Sequence, residues 1–168
     1  MTTSDELTAS RFGVETHSLE DRALIVETCT KMAWAIDERR WDDLGLLFAN
    51  KLRIDYTDIF GGEPSVITPA DMVRTSQLLL GSLDATQHLV ASHVVEGSGD
   101  TAYCRSMVQA SHLKQNRTGE PMWTVGAQYH MDLVRTPDGW RISGIRVVMN
   151  WATGNREVMR LGKTRPSA

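Results

Sequence analysis

Four side chains of this 168-residue sequence could together carry out acid–base chemistry: Asp37, Tyr56, His88 and His112. An imidazole can take up or release a proton near neutral pH because its reference pKa is about 6.5. A carboxylate can hold a histidine in one tautomer, and a phenol can donate a hydrogen bond to a carbonyl oxygen. Such groups suit the removal of water from a β-hydroxy ketone, which requires a base for the α-proton, a donor at the carbonyl oxygen and an acid for the departing hydroxyl.

Each of these residues also has an ordinary structural interpretation. Asp37 could be solvated at the end of a helix, and His88 could be a hydrogen-bonded strand residue. Tyr56 could be a core aromatic, and His112, two residues before Lys114, could face solvent. The chemistry therefore depends on a fold that brings the four side chains into one pocket.

A second group of residues could bind a substrate. Adjacent side chains of a strand point to opposite faces, so only one of Tyr129 and His130 can face a pocket, and we expect His130 to do so. The other predicted substrate-binding residues are Asn150, Trp151 and Trp34.

The histidines do not predict a metal site. His93 follows His88 by five residues, an odd spacing that places the two on opposite faces of a regular strand. We expect neither a metal nor an organic cofactor.

The composition indicates one domain that acts on a small molecule. A hydrophobic content of 41% at this length allows a core that needs no disulfide or metal. The 18 basic and 21 acidic residues give a net charge of -3 without a like-charge block, so a nucleic-acid partner is not expected. Cys29 and Cys104 are typical of reduced, buried thiols, which indicates a cytoplasmic protein. No apolar run approaches the roughly 18 residues of a membrane span.

Capping signals and helical spacing predict three helices. Ser18-Leu19-Glu20-Asp21 has the form of a capping box, and apolar residues continue at helical spacing to Ile36. A short second helix covers residues 41–48. Thr68-Pro69-Ala70-Asp71 starts the third helix, and Gly81 is its expected end.

The second half of the chain is typical of strands separated by turns. The predicted strands are 87–96, 101–114, 122–136 and 140–151, with a short strand at 53–56. These elements predict an α+β fold in which a curved antiparallel sheet wraps around the N-terminal helices as a cone, with a pocket at its mouth. Residues 18–161 form this single domain, between a polar tail at 1–17 and a C-terminal tail at 162–168.

Five short motifs occur in the order found in one known family. They are Trp34-Ala35-Ile36-Asp37, Trp41-Asp42-Asp43-Leu44, Leu52-Arg53-Ile54-Asp55-Tyr56, Thr86-Gln87-His88 and Thr136-Pro137-Asp138-Gly139-Trp140-Arg141. Over residues 20–152 the chain resembles the SnoaL-like, scytalone dehydratase-like branch of the NTF2-like superfamily. The resemblance implies the same cone fold, and a dimer or trimer.

The resemblance also implies roles for the four candidate residues. Asp37, Tyr56 and His88 match the family's aspartate, a carbonyl-binding tyrosine and its base histidine. His112 corresponds to a second histidine that pairs with the aspartate, although strict spacing would place Ala110 there.

Two positions depart from the family pattern. The tyrosine that precedes the aspartate is Ile36 here, and a strand asparagine aligns with His130. These substitutions keep the acid–base groups but remove one carbonyl-binding tyrosine, so we expect a substrate other than scytalone.

The leading interpretation is a cofactor-independent dehydratase, or an isomerase or cyclase. It would act through an enolate on a cyclic hydroxylated carbonyl compound, polyketide-like or steroid-like. His88 or His112 would remove the α-proton, with Asp37 orienting His112.

Two alternatives remain open from the sequence. An epoxide or lactone hydrolase of the same fold would need an Asp-Arg-Asp relay inside the cone, for which Arg105, Arg146 and Asp132 are the candidates. A non-enzymatic binding or dimerisation module predicts that the histidines do not converge on one cavity.

Overall fold

The computed structural model of the protein describes residues 17–117 and 119–161. The predicted tails at 1–17 and 162–168 lie outside the described residues, except for His17. This histidine is buried: its Nε2 lies 3.1 Å from the carbonyl oxygen of Thr101, and its ring packs edge-on against Trp140. His17 therefore packs on the domain.

The first helix ends where a catalytic aspartate is expected. α1 spans Leu19–Asp37, and its first turn is capped by Ser18, whose side chain accepts a hydrogen bond from the backbone N–H of Asp21. Two residues beyond the helix, Arg39 has a left-handed φ of 60°, and its guanidinium donates to the carbonyl oxygen of Ile36. This turn leaves Asp37 in the last position of α1.

Within residues 17–161, as far as the structure describes them, four further helices complete the helical layer. α2 spans Trp41–Leu46 and is shorter than predicted, because Phe48 already belongs to a strand. α4 spans Pro69–Leu80 as predicted. The short helices α3, Thr57–Phe60, and α5, Val158–Leu161, were not predicted.

In the described part of the chain, six strands form one curved, unclosed sheet in the order β2-β1-β6-β5-β4-β3. Their bounds are β1 Phe48–Asp55, β2 Ser65–Ile67, β3 Ala85–Ser98, β4 Thr101–Leu113, β5 Met122–Thr136 and β6 Gly139–Gly154. Neighbouring strands are antiparallel except for β1 and β6, which are parallel, so the sheet is mixed where a wholly antiparallel one was expected. The predicted α+β class is confirmed.

The sheet has an inner face toward α1 and an outer face away from it. Strand β4 shows this alternation, because its even-numbered residues are buried and its odd-numbered residues are not. The buried set is Ala102, Cys104, Ser106, Val108, Ala110 and His112. This pattern confirms the predicted facing of β4 and places His112 on the inner face.

A bulge in β3 changes the predicted position of His93. The pairing with β4 shifts register between Ala91 and Val94, and Ser92 has a positive φ of 57°. The bulge turns His93 toward α1, where its Nε2 lies 3.5 Å from the hydroxyl of Thr30. The prediction that His93 and His88 lie on opposite faces was therefore wrong.

The apolar core lies between α1 and the inner face. Cys29 of α1 and Cys104 of β4 are buried free thiols within it, as expected. Among the described helices, none is long and apolar enough to cross a membrane.

The cap of α4 gives a test of this local structure. Thr68 accepts a hydrogen bond from the backbone of Asp71, whose carboxylate in turn accepts one from the backbone of Thr68. We expect Thr68→Ala to lower the free energy of unfolding by about 1 kcal/mol in urea denaturation. Thr68→Ser keeps the hydroxyl and should change it much less; equal losses for both variants would contradict the capping role.

Candidate active site

A deep apolar cavity lies between the inner face of the sheet and helices α3, α4 and α5, with a volume of about 210 Å³. Most of its wall is aliphatic or aromatic. The polar side chains in the lining are Tyr56, Thr75, Ser76, His88, His112 and Tyr129. Three of the four candidate residues thus line one cavity, and the fourth, Asp37, lies directly behind His88.

Asp37 and His88 form a hydrogen-bonded pair. Asp37 Oδ1 lies 2.7 Å from His88 Nδ1, and Asp37 Oδ2 accepts the backbone N–H of His88 at 2.7 Å. The two side chains are only 19% and 6% exposed. Ala110 is the cross-strand partner of His88 and leaves room for the imidazole on the inner face.

A second layer of side chains holds the carboxylate. Thr86 donates its hydroxyl proton to Asp37 Oδ1 at 2.8 Å and accepts a hydrogen bond from Arg39 at 2.9 Å. Burial by itself would raise the pKa of Asp37. The hydrogen bonds and charge of His88, with the hydroxyl of Thr86, outweigh burial and hold this pKa below its usual value.

This pairing determines the tautomer of His88. An ionised carboxylate can only accept, so Nδ1 of His88 carries the proton that it donates to Asp37. In the neutral ring, Nε2 is then unprotonated, and the described hydrogen bonds of His88 are made by Nδ1 and the backbone N–H instead. His88 can therefore present a lone pair to the cavity.

His112 lies beside His88 but has a different partner. The two rings are perpendicular, with centroids 5.8 Å apart, and His112 Nδ1 lies 3.3 Å from the carbonyl oxygen of Trp123. Burial, together with the charge of His88, lowers the pKa of His112 to about 4. His112 is therefore neutral at physiological pH.

Two tyrosines supply phenol groups to the same cavity. Tyr56 reaches it from the end of β1, and Tyr129 from the inner face of β5. Burial raises the pKa of both, and for Tyr129 the charges of Tyr56 and Asp37 add to the effect. Both hydroxyls thus stay protonated and can donate hydrogen bonds.

The structure corrects two parts of the predicted site. Asp37 pairs with His88 instead of His112. His130 lies on the outer face, where its Nδ1 contacts the hydroxyl of Tyr103 and its Nε2 contacts Gln128. The choice of His130 over Tyr129 was wrong because the register of β5 turns Tyr129 inward.

The other predicted substrate-binding residues are also outside the cavity lining. Trp34 lies on the solvent side of α1 and is 59% exposed. Asn150 is exposed at a register shift between β5 and β6. The indole of Trp151 lies against Gly126 and is 48% exposed.

The residues proposed for an epoxide-hydrolase relay face outward. Arg105 pairs with Glu96, and Arg146 lies 3.6 Å from Asp55, both at exposed positions. Asp132 is exposed on the outer face next to Gly144. These side chains cannot form a relay in the cavity.

The described residues contain no group of three or more histidine, cysteine, aspartate or glutamate side chains arranged to hold a metal ion. Asp37 and the two cavity histidines make hydrogen bonds to each other or to the backbone instead.

Comparison with known proteins shows the family of the chain. The sequence model of the SnoaL-like domain family matches residues 17–146. The chain belongs to this family. It is 34% identical over 129 residues to an uncharacterized protein of Mycobacterium tuberculosis, over 74% of this chain and 82% of that relative.

Solved structures share the fold. A Kribbella flavida protein has a TM-score of 0.80 and 28% identity, covering 84% of this chain and 97% of its own. A Novosphingobium aromaticivorans protein, provisionally named a scytalone dehydratase, has a TM-score of 0.71 and 17% identity, covering 82% of this chain and 89% of its own. The SnoaL-like, NTF2-like assignment made from the motifs is thereby confirmed.

Sequence reasoning missed two functional candidates. Tyr129 was set aside in favour of its neighbour, since alternation alone does not say which face is inner. Thr86 is part of the motif Thr86-Gln87-His88, but the motif alone does not predict that it holds Asp37. Its position two residues before His88 places it on the same face of the strand, and this spacing is the sequence signal for a role beside His88.

The buried, neutral His112 predicts a pH dependence of stability. The unfolded chain binds a proton at this histidine near pH 6.5, whereas folded His112 resists protonation until about pH 4. The free energy of unfolding should therefore fall as the pH drops through that window, by about 2 kcal/mol between pH 7 and pH 5 from this residue. Urea denaturation of the wild type and of His112→Phe at pH 7 and pH 5 measures this loss of unfolding free energy. An equal loss in the variant would contradict its assignment to His112.

Proposed function

We propose that this protein is a lyase of the dehydratase type that acts on a cyclic hydroxylated carbonyl compound through an enolate. The observation that carries the proposal is the hydrogen bond of 2.7 Å between Asp37 and His88, which leaves His88 Nε2 available to an apolar cavity. Isomerisation and cyclisation pass through the same enolate and use the same groups.

His88 is the proposed base. Its Nε2 takes the α-proton of the substrate, and the imidazolium that forms is stabilised by the adjacent carboxylate of Asp37. Because Asp37 is held by Thr86 and by the backbone of His88, little rearrangement is needed as the charge develops.

Tyr56 and Tyr129 are the proposed donors to the carbonyl oxygen. The enolate places negative charge on that oxygen, and a neutral phenol in an apolar cavity stabilises it by a hydrogen bond. Tyr129 thus replaces, from a different element, the tyrosine that is absent at Ile36.

The same histidine completes the reaction. As the C–O bond breaks and the enolate collapses to the conjugated carbonyl, the proton on His88 Nε2 passes to the departing hydroxyl, and water is released. Neutral His112 has no proton at Nε2 to give, which favours His88 for both transfers.

The alternatives have less support. The relay residues of a hydrolase lie outside the cavity, and the two histidine rings lie 5.8 Å apart in one cavity, which a pure binding or dimerisation module does not require. The predicted dimer or trimer stays a prediction.

Removal of the base is the central test. With a panel of one- and two-ring β-hydroxy ketones, we expect the wild type to form the conjugated product, followed by its ultraviolet absorbance, and to exchange the α-proton in D₂O, followed by NMR. His88→Ala should lower kcat/KM by about 10³-fold. His130→Ala removes a histidine from the outer face and should leave the rate unchanged. The proposal would be contradicted if no compound of the panel gave product or exchanged its α-proton, or if both variants lost activity equally.

The tyrosine donor gives an independent test. Tyr129→Phe removes one hydroxyl from the cavity and should lower kcat about 10- to 100-fold with a smaller change in KM, because the hydrogen bond strengthens as the enolate forms. Tyr103→Phe, on the outer face, is the matched control. A change confined to KM would mean that Tyr129 binds the ground state only.

A further inference from the structure

His112 has a well-defined hydrogen-bonding capacity that the proposed reaction does not use. A backbone carbonyl oxygen can only accept, so the contact between His112 Nδ1 and the carbonyl of Trp123, 3.3 Å, requires the proton on Nδ1. The neutral ring then has a lone pair at Nε2. Among the described residues, the hydrogen bond of the His112 ring is made by Nδ1, and the ring lines the cavity, so Nε2 is open to a ligand there.

The two histidines therefore present two acceptors side by side. His88 Nε2 is the base, and His112 Nε2 is a second acceptor next to it, with ring centroids 5.8 Å apart. A ligand that supplies an N–H or O–H group to this acceptor makes a hydrogen bond inside an apolar cavity, and it gains affinity over a ligand that cannot.

We propose that His112 is a specificity residue: it accepts a hydrogen bond from a hydroxyl group that the substrate keeps, and the cavity selects neutral hydroxylated carbonyl compounds of one or two rings. This inference rests on the proposed function for the carbonyl group and adds the second recognition point. The retained hydroxyl is distinct from the departing one, because donation to an acceptor makes an oxygen a poorer leaving group.

The size of the cavity limits the number of rings in the ligand. An apolar cavity of about 150 Å³ accommodates benzene. The cavity of about 210 Å³ therefore suits one substituted ring or two small fused rings, and a four-ring steroid exceeds it.

The charge of the lining excludes anions. Among the described residues that line the cavity, none is lysine or arginine. A carboxylate ligand would lose its hydration without gaining a counter-ion, and it would approach the ionised Asp37 behind His88. The selected ligand is therefore neutral.

A binding series in the wild-type protein tests the inference without a substitution. Isothermal titration calorimetry at pH 6.5 measures 3-hydroxyacetophenone and 4-hydroxyacetophenone, each beside its own methoxy ether, together with acetophenone and 3-acetylbenzoate. We expect one of the hydroxyl compounds to bind about 5- to 10-fold more tightly than acetophenone and its own methoxy ether, and 3-acetylbenzoate to bind more than 10-fold more weakly than acetophenone. Equal affinities, or no saturable binding of either hydroxyl compound, would overturn the proposal.

A matched pair of variants assigns the preference to His112. His112→Phe keeps an aromatic ring beside Trp123 but removes the acceptor, and it should reduce the hydroxyl preference to less than 2-fold. His130→Phe makes the same substitution on the outer face and should retain it. A preference that survives His112→Phe would overturn the role.

The binding test of His112 is independent of the test of the elimination reaction. Binding of these probes requires no turnover, and His88→Ala should keep most of the hydroxyl preference while lowering kcat/KM for elimination by about 10³-fold. If the preference is present but no elimination occurs with any substrate, the lyase proposal fails and the recognition role stands; the opposite pattern would reject the role of His112 alone.

Discussion

The hydrogen bond between Asp37 and His88 joins the end of a helix to the start of a strand, and the candidate site depends on it. A carboxylate in the last turn of α1 faces the negative end of the helix dipole, which is an unfavourable position. Three donors offset this cost: the imidazole and backbone N–H of His88, and the hydroxyl of Thr86. The left-handed residue Arg39 ends the helix at the required point and supports Thr86.

The two cavity histidines share one apolar enclosure but have different partners at Nδ1. His88 is bound to a carboxylate, so a proton gained at Nε2 produces an ion pair that the surroundings stabilise. His112 is bound to a carbonyl dipole, and burial then makes its protonated form unfavourable. The partner of Nδ1 therefore decides which histidine can act as a base and which can only accept a hydrogen bond.

The curvature of the sheet separates two kinds of polar chemistry. On the inner face, a few polar groups lie in an apolar cavity, with the charged Asp37 and Arg39 behind His88 and Thr86. On the outer face, arginines and carboxylates such as Arg105 and Glu96 form exposed pairs, and His130 contacts Tyr103. Exposed pairs of this kind contribute little to stability, since solvent screens them.

The sequence by itself determined the starts of α1, α2 and α4, the long strands, the α+β class, the family and three of the four polar pocket residues. Capping residues, turn residues and alternation could show the helix starts and strands because they act over a few neighbours. The sequence could not decide that Asp37 pairs with His88, because that contact joins residues 51 positions apart and depends on how α1 crosses β3. Nor could it choose between Tyr129 and His130, since a one-residue change of register exchanges the two faces of a strand. The β3 bulge at His93 and the left-handed turn at Arg39 likewise follow from packing of the sheet against the helix. Tertiary structure alone therefore decided which groups share the cavity and in which protonation state.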